Sequence, residues 1–166
     1  MSYVCKVMDS PIGKLKLVAN GSRLSAILWE NDKPNRVRLG PIHEDKDSPI
    51  LAETERQLNE YFAGKRNRFE LDLDFVGTEF QRKVWETLLT IPFGETRSYG
   101  EIAVQIGNAR AVRAVGAATG KNPISIIAPC HRVIGASGDL TGFAGGLSVK
   151  KMLLTLESGS PSQTAV

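Results

Sequence analysis

Residues 98–119 read Ser98-Tyr99-Gly100-Glu101-Ile102-Ala103-Val104-Gln105-Ile106-Gly107-Asn108-Ala109-Arg110-Ala111-Val112-Arg113-Ala114-Val115-Gly116-Ala117-Ala118-Thr119. Tyr99, Ile102, Ala103 and Ile106 recur at helical intervals, Gly107-Asn108 breaks the pattern, and a second helical segment runs over residues 109–119. Two short helices around a glycine-bearing turn predict a helix-turn-helix. The second helix has almost no side-chain bulk, because Ala111, Ala114, Gly116, Ala117 and Ala118 fill it. A helix this slim can pack closely against another helix, since small residues let backbones approach. It can equally press Arg110 and Arg113 against a nucleic-acid backbone.

Toward the C-terminus, Asn122-Pro123 precedes an apolar run at residues 124–128 that predicts a buried strand. That strand delivers Cys130 within Pro129-Cys130-His131-Arg132-Val133. A cysteine attacks as its thiolate, and an adjacent imidazole is one way to lower the thiol pKa from about 8.5. The same cysteine serves as well as a small buried hydrophobe. Gly135, Gly138, Gly142, Gly145 and Gly146 mark a folded loop, suited to backbone N–H groups approaching a ligand or simply to tight turning. Val149, Met152, Leu153 and Leu156 predict a last amphipathic helix with Glu157 near its end, and residues 159–166 a flexible tail.

Toward the N-terminus, Thr78-Glu79-Phe80-Gln81 has capping-box spacing, and Phe80, Val84, Trp85, Leu88 and Leu89 follow as a helix that stops before Pro92. Residues 69–75 alternate apolar and acidic side chains, as a half-exposed strand or an extended linker does. Ser48-Pro49 predicts a helix start, with an apolar stripe of Leu51, Leu58, Tyr61 and Phe62 ending at Gly64. Residues 31–47 read as a charged loop crossed by a short strand at 37–39. Residues 3–29 form an antiparallel meander whose Asn20-Gly21 suits a tight hairpin.

The 166-residue chain is 42% hydrophobic, enough for one domain or two small ones. No apolar run is long enough to span a membrane, no secretion signal is visible, and the expected location is the cytoplasm. Cys5 and Cys130 are the only cysteines and His43 and His131 the only histidines, so two free thiols and no metal site are expected. The net charge of +3 divides into −1 over residues 1–96 and +4 over residues 97–166. A positive excess confined to the half with Cys130 suits a polyanionic partner.

Taken together, Asn122-Pro123, Pro129-Cys130-His131-Arg132-Val133 and Gly142-Phe143-Ala144-Gly145-Gly146-Leu147 resemble the O6-alkylguanine-DNA alkyltransferases, or methylated-DNA–protein-cysteine methyltransferases, in their bacterial single-chain form. Phe80-Gln81-Arg82-Lys83-Val84-Trp85, Ser98-Tyr99, Arg113-Ala114-Val115-Gly116 and Glu157 extend the likeness over residues 78–157. The resemblance implies an α+β to α/β chain of two domains. Residues 1–76 would be an antiparallel sheet with a helix, ribonuclease H-like, and residues 77–158 a mainly helical, winged-helix-like DNA-binding domain holding the alkyl acceptor.

It also implies roles. Cys130 would take the alkyl group irreversibly, once per molecule, from O6-alkylguanine, with O4-alkylthymine as a second substrate. His131 would take the thiol proton through a water, and Glu157 would orient the imidazole. Successive residues of a strand face opposite ways, so this relay needs a bend, expected at Pro129. Asn122 would brace the turn, and Tyr99 would donate to the leaving guanine. Arg113 would fill the gap in the base stack, and Ala114, Ser98 and Arg132 would contact DNA. Pro123, Val133, Phe143, Ala144, Gly145 and Gly146 would line the substrate pocket. No cofactor or metal is implied. The expected partner is double-stranded DNA, approached by a monomer from the minor groove with the target base flipped out.

Ala144 stands where some relatives have serine, and the zinc ligands of some N-terminal domains cannot be assembled around Cys5. Two other activities compete. One is a lesion-sensing DNA-binding protein that transfers nothing, and the other is a thiol hydrolase using Cys130, His131 and Glu157. The helix-turn-helix and Arg113 argue against the second.

Overall fold

The computed structural model describes residues 2–159. Strands β1 (Tyr3–Met8), β2 (Leu15–Asn20) and β3 (Arg23–Trp29) form the meander, and the tight turn between β2 and β3 falls on Gly21-Ser22, one residue later than expected, because Asn20 still pairs with Arg23. The short strand lies not at residues 37–39 but at β4 (Ile42–Glu44), parallel to β1, giving the order β3-β2-β1-β4. Val37 and Leu39 instead pack as loop side chains on the outer face, over Tyr3, Cys5, Val18 and Ala26. The inner face holds Leu15, Leu17, Leu24, Ile27 and Trp29. A register shift between Val18 and Ala19 changes the parity of β3, so Leu24 shares a face with Ile27 and Trp29.

Helix α1 (Pro49–Phe62) starts after Ser48 as expected, although the Ser48 side chain makes no capping bond. Its Leu51, Leu58 and Tyr61 cover the inner face. Gly64 follows with φ +75, a left-handed conformation that glycine adopts at little cost. Residues 69–75 are the extended linker. Asp72 and Asp74 pair with Leu24 across the edge of β3 through Leu24 N to Asp72 O and Asp74 N to Leu24 O, both 2.8 Å.

Helix α2 (Glu79–Leu88) carries the predicted capping box, with Gln81 N donating to Thr78 Oγ1 at 3.1 Å and Thr78 N to Gln81 Oε1 at 2.9 Å. Helices α3 (Tyr99–Gln105) and α4 (Val112–Gly120) are the helix-turn-helix. The second helix starts at Val112, not at 109, because residues 108–111 form a turn closed by Ala111 N to Asn108 O. Val84, Trp85, Leu88, Ile102, Ala103 and Val115 form the core of this half, and Trp85 Nε1 donates to Ala118 O at 2.8 Å. A two-stranded sheet, β5 (Arg97–Ser98) parallel to β6 (Val133–Ile134), and helix α5 (Leu147–Ser158) complete the chain. Of the expected tail, residues 160–166 lie outside the described residues, and Gly159 caps α5 at φ 70.

The strand expected at residues 124–128 does not form. Only Ile124 is extended, bridged in parallel to Ile27 with Ile27 N donating to Pro123 O at 2.8 Å, and the chain then turns. Ile124, Ile126, Ile127 and Leu153 join the inner-face core of the meander, so the two halves share one apolar cluster.

Gly77 is the tightest backbone approach, since a Cβ there would lie 2.5 Å from the Trp85 ring. Gly77→Ala should cost about 1–3 kcal/mol in urea unfolding, as overpacking does. Gly120→Ala, with nothing within 4 Å of the added carbon, should leave the midpoint unchanged or slightly raised.

Candidate functional site

Between Asn122 and Arg132 the chain makes two three-residue turns. Ile127 N donates to Ser125 O at 2.9 Å around Ile126, whose φ of +75 is rare for a β-branched residue. Cys130 N then donates to Ala128 O at 2.8 Å around Pro129, at φ −81 and ψ 69, an inverse γ-turn. This is the bend expected at Pro129. Cys130, His131 and Arg132 follow as one 3-10 turn, so the alternation of a strand no longer applies.

Asn122 is fully buried and clamps the loop, its Nδ2 donating to Ala128 O at 2.8 Å and its Oδ1 accepting from Ile124 N at 3.0 Å. Arg36, from the charged N-terminal loop, donates through Nη1 to Asn122 O at 2.9 Å while its Nε and Nη2 hold Asp32 at 2.6 and 2.8 Å. Cys130 is 6% exposed. Burial pushes its thiol up from the ordinary value, against the Asn122 hydrogen bond and the charges of Arg36 and Lys150, which pull it down.

Behind the cysteine lies a buried cluster built on Glu157. His131 Nε2 and Arg132 Nη2 reach its Oε2 at 2.7 and 3.0 Å, Arg132 Nε reaches Oε1 at 2.7 Å, and the Tyr61 hydroxyl donates to Oε2 at 2.5 Å. Burial alone would raise the carboxyl pKa, but the hydrogen bonds from His131 and Arg132 outweigh it and hold the group at about 2. Burial drives His131 below its ordinary value against the pull of Glu157. Neutral His131 facing an ionised carboxylate must carry its proton on Nε2. Its Nδ1 is therefore a lone pair, and it has no hydrogen-bond partner among the described residues.

Arg132, expected at the DNA surface, is turned inward. It is 7% exposed, donates through Nη1 to Ile91 O at 2.6 Å, grips Glu157 and lies 5.7 Å from the centre of the Phe93 ring. Three of its five N–H groups are bonded inside the protein, and little of the side chain faces solvent.

Tyr99 opens α3, and its hydroxyl meets Thr141 Oγ1 at 2.5 Å. Ser98 is the N-cap of that helix, its oxygen accepting from Glu101 N at 3.1 Å. On α4, Arg113 and Ala114 are exposed while Val115 and Ala118 face the core, so the arginine and the slim surface lie on the outer side. Phe143, Ala144 and Gly145 are half-buried and Gly146 is exposed. Phe143 packs edge-on against Trp29 with centroids 5.5 Å apart, and a Cβ on Gly145 would touch both rings at 2.9 Å. Pro123 and Val133 are buried as framework, Pro123 through its carbonyl on β3 and Val133 through β6.

Sequence reasoning missed Arg36, Tyr61, Thr141 and Lys150. Lys150 left a trace, because it stands three residues before Leu153 and seven before Glu157, and these three are the buried stripe of α5. Met152, expected in that stripe, is 48% exposed. Lys150 is 1% exposed, and its ammonium donates to Val133 O at 2.6 Å and Thr141 O at 3.4 Å.

Among the described residues no helix is long and apolar enough to cross a membrane. Residues 79–159 match the 6-O-methylguanine DNA methyltransferase DNA-binding domain, and residues 3–75 match the ribonuclease-like domain of the same family. A methylated-DNA–protein-cysteine methyltransferase of Mycobacterium leprae is 53% identical over 153 residues, 92% of this chain and 91% of the relative. One of Methanosarcina barkeri is 47% identical over 154 residues, 93% and 96% of the two chains. The crystal structure of Mycobacterium tuberculosis OGT in complex with DNA superposes with a TM-score of 0.86 at 49% identity, covering 98% of this chain and 94% of that one. The chain belongs to the 6-O-methylguanine DNA methyltransferase family.

Proposed function

We propose that this protein repairs DNA by moving the alkyl group of O6-alkylguanine onto Cys130. The observation that carries the reading is the neutral His131 held by Glu157 beside a buried cysteine, with Nδ1 left as an acceptor. A water between Cys130 and Nδ1 relays the thiol proton to His131, and Glu157 balances the imidazolium that forms. The thiolate attacks the alkyl carbon in line. A C–S bond forms, the C–O6 bond breaks, and its electron pair passes to the guanine, where the Tyr99 hydroxyl donates to the developing anion. The product is a thioether with no carbonyl for water to attack, so each molecule reacts once. The same displacement applies to O4-alkylthymine.

The target atom is shielded within a duplex, and flipping its nucleotide out costs a few kcal/mol. The exposed, slim α4 suits the minor groove, with Ala114 against the backbone and Arg113 filling the vacated stack. With alanine at 144, contacts to the lesion oxygen fall to Tyr99 and the N–H groups of residues 143–146. The protein acts as a monomer in the cytoplasm, where Cys5 and Cys130 stay free thiols. Asn122 keeps the acceptor loop in shape.

Incubation with an O6-methylguanine duplex should add one methyl mass to the peptide bearing Cys130, with no further turnover. A folded protein whose mass is unchanged would sink the reading and favour a lesion sensor, for which DNA binding survives Cys130→Ala and no methyl is gained.

The buried cluster also sets a pH dependence. The folded pKa of His131 lies below its ordinary 6.5, so the unfolded chain takes the proton first on acidification. The stability it confers is complete above pH 6.5 and is lost as pH falls toward the folded value. Glu157 adds a second loss between its ordinary 4.5 and about 2. Urea midpoints should therefore drop from about pH 7.5 to about pH 5.5 in the native protein, and His131→Gln should flatten that drop.

A further inference from the structure

We propose that Thr141 is the positioning residue of Tyr99, orienting its hydroxyl toward the leaving guanine, with Lys150 fixing Thr141 in turn. The inference rests on the alkyl-transfer reading of the site. The Tyr99 ring lies along α4, where a Cβ on Gly116 would come within 3.9 Å of it, so a helix backbone limits the ring on that side. Its hydroxyl meets Thr141 Oγ1, 42 residues away in the glycine loop. This is a side chain reaching across from a loop of small residues, and that loop is held by a buried charge. Lys150 Nζ donates to Val133 O, just before the loop, and to Thr141 O within it. One ammonium thus fixes both the exit of the acceptor turn and the residue that touches Tyr99.

A hydroxyl pair can run in either direction. When Thr141 donates to the Tyr99 oxygen, the Tyr99 O–H is free to donate elsewhere, and accepting that bond makes it a stronger donor. No covalent bond changes in this exchange. Thr141 therefore acts through Tyr99 and not on the alkyl group.

The test is single-turnover methyl transfer from an O6-methylguanine duplex at saturating protein, with duplex affinity measured separately by anisotropy. Thr141→Val keeps the shape and removes the hydroxyl. It should slow transfer roughly threefold to tenfold, the worth of one hydrogen bond, with affinity unchanged, and Thr141→Ser should restore the native rate. In a Tyr99→Phe background Thr141→Val should add nothing. Should Thr141→Val not fold by urea titration, Thr141→Ala takes its place with the same expectations. The inference is overturned if Tyr99→Phe is slow while Thr141→Val transfers at the native rate, or if Thr141→Val slows both backgrounds equally. A native protein that takes up no methyl refutes alkyl transfer itself. Tyr99→Phe at the native rate refutes the role of Tyr99, and the role of Thr141 with it.

Discussion

The buried carboxylate of Glu157 is the interaction on which the rest of the structure depends. It stands in the last turn of α5, where the helix dipole disfavours an anion, and it is almost wholly removed from water. Four bonds from three side chains offset that cost, and they arrive from two places: Tyr61 from α1, His131 and Arg132 from the acceptor turn. Arg132 then extends the cluster to the Ile91 carbonyl and the Phe93 ring. Removing one partner of a buried pair leaves a charge uncompensated, at a cost of about 3–5 kcal/mol. The N-terminal helix, the last helix and the acceptor turn are therefore held in one arrangement by one carboxylate.

The second constraint is geometric. A left-handed isoleucine is a conformation that costs about 1–3 kcal/mol and survives only where its surroundings impose it. Here Ile126 is buried in the shared core, Ile124 is pinned to β3, and Asn122 spans the loop from Ile124 N to Ala128 O. Arg36 holds the carbonyl of Asn122 from the outside. The edge of β3 thus does two jobs, accepting the linker at Leu24 and the acceptor loop at Ile27. Without the N-terminal sheet, the turn that presents Cys130 would lose its anchor.

Periodicity and turn chemistry made most elements legible. The meander, the Thr78 capping box, the helix-turn-helix and the last helix all form near their expected bounds, because each is encoded by a local pattern. The apolar run at 124–128 misled for an equally physical reason. Short apolar runs mark burial and not conformation, and Asn122 with Pro123 and Pro129 diverts this one into turns. Cys130, His131, Glu157, Asn122 and Tyr99 were legible as a constellation, since their spacing matches a family. Their partners were not. Tyr61, Arg36 and Thr141 become neighbours of the site only through tertiary packing, and nothing in their local sequence separates them from core, loop and surface residues. Arg132, which the resemblance implies as a DNA contact, is instead buried against the charge of Glu157, a partner that only tertiary packing brings to it.

The opposed shifts of Cys130 and His131 bear on how a reagent that reacts once avoids being wasted. Burial pushes the thiol up and the imidazole down, so both rest neutral. A thiol is a far weaker nucleophile than its thiolate, and at 6% exposure it meets few small electrophiles. In the proposed reaction, moving the proton from sulfur to His131 creates an ion pair in a low-dielectric site, which is costly until other groups share the charge. Arg36 and Lys150 favour the thiolate, and Glu157 favours the imidazolium, which Arg132 and Lys150 oppose. Arg36, Lys150 and Glu157 come from the N-terminal loop and from α5, outside the acceptor turn itself. On the proposed reaction, the reactivity of Cys130 is therefore a property of the assembled chain, since the charges that favour its thiolate are held outside the pentapeptide around it.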